Sequence, residues 1–184
     1  MARKFRWMAL KIAILITVIF AIQVFIPKVT DDYLLKSSDV YERPWILVTS
    51  IFLHGSFVHY AYNMFALVLF GLILEKRVGT LIFLLVFFAG GIFANIVTVP
   101  FYEASLGASG AIYAIIAMLA VVWPWLPVWA AGLPMPMWLA AIVWTAGNFI
   151  ILLAPTNIGA IAHLSGALFG FLAGMSWKAA KKKV

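Results

Sequence analysis

Gly107-Ala108-Ser109-Gly110-Ala111-Ile112-Tyr113-Ala114 sets a hydroxyl between two glycines at the head of a long apolar run. Alone, the stretch need mean nothing beyond packing: small residues let membrane helices approach closely, and a serine hydroxyl can bond its own helix backbone. Its meaning depends on the chain around it. Of 184 residues, 66% are apolar and 10% charged, which is far from the soluble average and expected of an all-α polytopic membrane protein. The absence of cysteine removes disulfides, thiolate metal sites and a thiol nucleophile. A net charge of +7 could suggest a nucleic-acid partner, but the basic residues lie beside apolar runs, where they act as topology signals, so no nucleic acid is expected.

The run that opens at Gly107 continues to about Trp123-Pro124 and is the fourth of six expected spans. Before it lie runs from about Met8 to Ile26, Phe57 to Leu74 and Leu81 to Val99; after it come Met137 to Leu153 and Ile158 to Trp177. The first run could be a signal peptide, but it is long enough to span and lacks a small-x-small cleavage site. Residues 28 to 44 form the longest polar loop, and residues 124 to 136, with four prolines and neighbouring tryptophans, read as an interfacial connection. One membrane domain is expected over residues 1–184, with a core at about 8–177 and a basic tail at 178–184. The N-terminus, the Glu75-Lys76-Arg77-Val78-Gly79 turn and the tail hold ten Lys or Arg and one acid, against three basic residues and five acids on the other side. Both termini are therefore expected in the cytoplasm, and spans two, four and six all enter from the outer face.

Polar side chains inside such spans mark function by default, because lipid offers them no partner. His54, His59 and Asn63 fall at the outer start of span two, Ser109 at that of span four, and His163 one turn into span six. At about 1.5 Å of rise per residue they lie within roughly 10 Å of the outer boundary. His59 and Asn63 share a face, as do Ser109 and Tyr113. Gly166, Gly170 and Gly174 form a stripe at that spacing; if span four, with Gly107 and Gly110, packs there, His163 meets Ser109. A neutral histidine bonded to a serine is the minimum apparatus for nucleophilic attack on a carbonyl, with His59, Asn63 and the Ser109 N–H as oxyanion donors. Spans four to six hold no Asp or Glu, so a dyad is expected, with Tyr113 stacked on His163 in place of a carboxylate. Each residue also has a plainer reading: a packing serine, a structural histidine, and His54 bonding loop backbone. Asn95, Thr145 and Asn148 read as interhelical hydrogen-bond partners, and Glu75 with Arg77 as an ion pair or cap.

Taken together, His59-Tyr60-Ala61-Tyr62-Asn63, Gly107-Ala108-Ser109-Gly110 and Ala162-His163-Leu164-Ser165-Gly166-Ala167-Leu168-Phe169-Gly170 resemble the HxxxN, GxSG and AHxxGxxxG motifs of the rhomboid family of intramembrane serine proteases, in the family's order. The resemblance covers about Pro44 to Trp177. It implies a six-helix rhomboid-like bundle in which Ser109 is the nucleophile, His163 the general base, and His59 with Asn63 the oxyanion stabilisers. His54, Gly107, Gly110 and Gly166 would be supporting residues; His54 matches a further histidine seen near the site, where it would hold water or the helix end. The implied substrates are transmembrane segments of single-pass or polytopic proteins, cut near the outer face, without metal or cofactor. The expected location is a prokaryotic cell (inner) membrane. The loop between spans one and two is shorter than in much of the family, and neither an extra-membrane N-terminal domain nor a seventh helix is expected. Span five resembles the family's lateral gate by position only. Rival readings are a catalytically silent relative that binds helical clients and a small transporter; polar residues confined to the outer third speak against the latter.

Overall fold

Lipid tails are as apolar as leucine, so helices in a membrane are held together by close packing and interhelical hydrogen bonds rather than by escape from water. The structure, a computed structural model, describes residues 5–130, 132–152 and 159–182, apart from the side chains of 130, 147–152 and 182. In chain order the elements are α1 (Met8–Phe25), α2 (Lys28–Tyr33), β1 (Leu35–Lys36), α3 (Ile46–Thr49), α4 (Phe57–Ala66), α5 (Leu72–Val78), α6 (Thr80–Thr98), β2 (Ala104–Ser105), α7 (Ser109–Val122), β3 (Pro127–Ala130), β4 (Leu133–Pro136), α8 (Met137–Leu152) and α9 (Ala160–Lys182). A π-helical turn, Leu67–Gly71, joins α4 to α5, so that Phe57–Val78 is one continuous helix.

Four helices among the described residues are long and apolar enough to cross a membrane: Met8–Phe25, Phe57–Val78, Thr80–Thr98 and the helix from Ala160. The other two apolar helices, α7 and α8, are shorter, at 14 and 16 residues. Each long helix buries one stripe and turns another outward. In α1, Ala9, Ile12, Ala13 and Ile16 are buried while Leu10, Ile14, Leu15 and Val18 are exposed, as a lipid-facing helix requires. The centre is α7, whose Gly110, Ala111, Ala114, Ile115, Met118 and Leu119 are all buried.

Glycine sets the distance between α6, α7 and α9. A methyl group on Gly166 or Gly170 would run into the carbonyl oxygens of Gly110 and Ala114, so the α7 and α9 backbones are in contact. On the other side of α7, a methyl on Gly110 would sit 2.7 Å from the Ala94 Cβ, and one on Gly90 2.6 Å from the Ala114 Cβ. These close approaches place the first turns of α7 and α9 side by side.

Polar anchors fix the remaining pieces. Buried Glu75 accepts from the backbone N–H groups of Arg6 and Ala9 and from the Thr80 hydroxyl. It therefore caps the start of α1, satisfying donors that a helix end leaves open. The cap reading of Glu75 is the one these bonds bear out, and Arg77 lies 5.0 Å over the Trp123 ring. Asn95 of α6 donates to the Leu47 carbonyl at 2.8 Å and to the Ser50 hydroxyl at 3.0 Å, the interhelical role expected of it.

The expected polar loop at 28–44 is more ordered than a loop. It holds α2, a 3-10 turn at Ser37–Asp39 and β1, which pairs antiparallel with β2 through Leu35↔Ser105 and Lys36↔Ala104. Alternation was too brief there to reveal a strand of two residues. The interfacial connection at 124–136 is a hairpin of β3 and β4, with Gly132 at φ +78° in its turn and Trp125 and Trp129 exposed. Proline-rich composition hid that strand pairing. Arg3, Lys4, Pro155-Thr156-Asn157 and Lys183, and the side chains of Asn148, Phe149 and Ile150, lie outside the described residues.

Candidate active site

The α7 helix begins at Ser109, so its hydroxyl stands at a helix N-terminus where the N–H groups of Ser109, Gly110 and Ala111 have no acceptor within the helix. Gly107, at φ +125°, turns the chain into that helix, and its N–H is held by the Ser50 carbonyl at 2.9 Å. Glycine is required twice here: L side chains rarely adopt that φ, and a methyl would meet the His59 ring at 2.7 Å. His59 is thus packed directly against the turn that carries Ser109.

His163 comes from the first turn of α9, with its N–H on the Gly159 carbonyl at 3.1 Å. Its Nε2 lies 2.7 Å from Ser109 Oγ, within hydrogen-bond distance. Tyr113, one turn along α7 from Ser109, stacks on the imidazole with ring centroids 4.6 Å apart and planes 13° from parallel. The Gly110–Gly166 approach brings the helices that carry the pair into backbone contact beside it.

His59 is on the first turn of α4. Ser56 caps that helix, its hydroxyl accepting the His59 N–H at 3.1 Å. Asn63, buried one turn on, donates to the His59 carbonyl at 2.8 Å, leaving its second amide hydrogen and its oxygen for other partners. A cavity of about 1100 Å³ is lined by His59, Asn63, Ser109, Tyr113, Trp144 and His163, among others. The exposed rings of Tyr62 and Phe65 continue its wall along α4.

His54 is the exception among the sequence candidates. Its ring stands edge-on behind His59, with centroids 5.0 Å apart, and is 2% exposed, outside the cavity lining. Neither ring nitrogen makes a well-formed hydrogen bond among the described residues, and the Phe52 backbone is the loop group that acts on the ring. Burial, and next the proximity of His59, push its pKa down to about 3, against a weak opposing effect of the Phe52 backbone. The ring is neutral. Sequence reasoning also passed over Gln23, Ser50 and Ser56, which hold the loop before α4. Gln23 was detectable, as a lone amide in an apolar run.

The geometry can do one thing well. A hydroxyl bonded to a neutral imidazole, at a helix start rich in free N–H groups and open to a cavity, can attack a carbonyl and shelter the resulting oxyanion. Comparison with known proteins points the same way. The Rhomboid domain family model matches residues 41–179. YdcA of Bacillus subtilis is 33% identical over 144 residues, covering 76% of this chain and 69% of YdcA. RHOMBOID-like protein 6, mitochondrial, of Arabidopsis thaliana is 31% identical over 133 residues, covering 71% of this chain and 42% of that protein. Rhomboid protease GlpG of Yersinia pseudotuberculosis is 27% identical over 137 residues, covering 74% of this chain and 49% of GlpG. The chain therefore spans about half the length of the latter two. With the family model covering most of its length, it belongs to the rhomboid family of intramembrane serine proteases.

Proposed function

We propose that this chain is an endopeptidase that cuts transmembrane segments of other membrane proteins, single-pass or polytopic, near the outer membrane face through a Ser109–His163 dyad. The observation that carries this reading is the 2.7 Å contact between Ser109 Oγ and His163 Nε2 at the head of the buried central helix. Ser109 attacks the scissile carbonyl while Nε2 takes its proton. The oxyanion receives the Ser109 N–H, with His59 and Asn63 as further donors; each such donor is worth about 3–4 kcal/mol. Collapse of the tetrahedral intermediate expels the amine, which leaves with the proton from His163. Water then repeats the sequence on the acyl-enzyme, regenerating Ser109. Tyr113 keeps the imidazole face-on throughout, the orienting task that a carboxylate performs in a triad.

The short α7 supports a shallow site. Its 14 residues rise about 21 Å. That is less than the roughly 30 Å of bilayer hydrocarbon, so a helix ending at one surface starts below the other. Water and an unwound peptide can reach Ser109 there. We further read the fold as a single membrane domain of six spans with both termini cytoplasmic, from the ten-to-one excess of basic over acidic residues on that side. Bacterial relatives favour a cell membrane.

The test is cleavage of a model transmembrane substrate by purified protein. Ser109→Ala should abolish cleavage while leaving thermal stability unchanged, and Asn63→Ala should slow turnover without ending it. Equal activity in all three proteins would overturn the mechanism. Because the chain has no cysteine, single cysteines at Lys36 and Lys76 report sidedness, with Lys36 reactive from outside and Lys76 from the cytoplasm. The opposite pattern would invert the topology.

A further inference from the structure

We infer that Gln23 of α1 is a positioning residue for the catalytic layer. Its side-chain amide closes a two-bond ring with one backbone residue of the loop that leads into α4. The His54 N–H donates to Gln23 Oε1 at 3.1 Å, and Gln23 Nε2 donates to the His54 carbonyl at 3.3 Å and to the Thr30 hydroxyl at 2.9 Å. Gln23 is 6% exposed, so these bonds form away from water, where an unmade partner is costly.

The position of this ring gives it its consequence. Residues 53–56 separate the 3-10 turn at Ser50–Phe52 from α4. Upstream, the segment is pinned to α6 by Asn95 and passes the Ser50 carbonyl to Gly107. Downstream, Ser56 caps the His59 N–H. Gln23 holds the residue between these two anchors and so sets how deep α4 begins. That depth decides whether the His59 ring meets the Gly107 turn, against which it packs with no slack. Helix α1 carries none of the reacting groups, yet through Gln23 it adjusts where one of the oxyanion donors stands.

The inference rests on the proposed roles of Ser109 and His59, and the experiment separates the two failures. Wild type, Gln23→Leu and Gln23→Glu are compared for kcat and KM on a model transmembrane substrate, with active molecules counted by fluorophosphonate uptake. Gln23→Leu removes the two ring bonds and the bond to Thr30 at similar volume and should lower kcat per active molecule by about tenfold to a hundredfold, with KM little changed, as for a displaced catalytic group. Gln23→Glu supplies the conservative rescue. Protonated, its carboxyl accepts from the His54 N–H and donates to the His54 carbonyl, restoring the ring. Ionised, it loses the donor and sets a negative oxygen against that carbonyl. Its activity relative to wild type should therefore be high at low pH and fall as pH rises. Other titratable groups on the elements packed there, His54 itself and Lys28, Asp31 and Asp32 of α2, are common to both proteins and cancel in the ratio.

If Gln23→Leu does not fold, the pH profile of Gln23→Glu still decides. A flat ratio, or wild-type kcat in folded Gln23→Leu, would overturn the positioning role while leaving the dyad standing. Failure of the wild type to take up the probe at Ser109 would instead remove the reading on which the inference depends.

Discussion

Replacing Gly107 by alanine isolates the contact on which the proposed oxyanion layer depends. The backbone there is at φ +125°, and an L side chain in such a region costs about 1–3 kcal/mol. The added methyl would also lie 2.7 Å from His59 Cε1 and 2.9 Å from Nε2. Carbon atoms rest at about 3.5 Å or more, so the ring must withdraw by about 0.8 Å or the turn must yield by as much. Either movement carries His59, the proposed oxyanion donor, away from Ser109, and misplacement by about 1 Å can cost on the order of a hundredfold in rate. We therefore predict that Gly107→Ala lowers kcat on a model transmembrane substrate by about tenfold to a hundredfold, with a modest loss of thermal stability. Gly132→Ala is the control: it has φ +78° but no contact within 4 Å among the described residues, so it carries the strain without that collision and should keep most of its turnover. Wild-type kcat in Gly107→Ala, or equal losses in the two variants, would show that the His59–Gly107 contact does not set the rate.

Other outcomes follow from the same packing. Gly166→Ala and Gly170→Ala should part α7 from α9, lowering stability by about 1–3 kcal/mol in denaturant titrations and abolishing labelling of Ser109. Gly159→Ala, whose methyl would find among the described residues only Ala162 Cβ at 3.7 Å, should label normally. Tyr113→Phe preserves the stack on His163 and should retain activity, whereas Tyr113→Leu should lose about three- to tenfold in kcat, the kinetic equivalent of an aromatic contact of 0.5–1.5 kcal/mol. For His54, the folded pKa of about 3 lies below the unfolded value of 6.5. The unfolded chain therefore binds a proton that the folded one refuses, so stability held above that unfolded value is lost as pH falls towards the folded one. The slope is at most about 1.4 kcal/mol per pH unit. His54→Phe should flatten the stability profile between those limits, and an unchanged slope would contradict the assignment.

The site was legible because its parts are rare residues in an apolar background. Ser109, His59 and His163 stand out in spans where few polar groups occur, and the Gly166–Gly170–Gly174 spacing named the face on which α9 meets a neighbour. That the neighbour is α7 required the structure, since Gly110 and Ala114 contribute backbone carbonyls, which no residue type announces. The π-helical turn at Leu67–Gly71 was invisible for a related reason: its residues read as ordinary helix formers, and the close contact of Gly71 with Ala9 arises only after folding. The β3–β4 hairpin was masked by Pro127, Pro134 and Pro136, which deplete strand signals even where an edge strand tolerates them. Asn63 was read for its face, correctly as to helix geometry, but its bond to the His59 carbonyl depends on a rotamer that spacing does not specify. Gln23 and Ser56 bind backbone groups of the loop before α4, and such partners are unknown until that loop has a conformation.

The central claim is that Ser109 is made nucleophilic by His163. Its most direct test is fluorophosphonate labelling of purified, detergent-solubilised wild type, Ser109→Ala and His163→Ala, each shown to be folded, with the modified residue located by peptide mass spectrometry. One adduct is expected, on Ser109, present in the wild type and absent from both variants. A folded wild type that takes up no probe, or an adduct that survives Ser109→Ala, would contradict it.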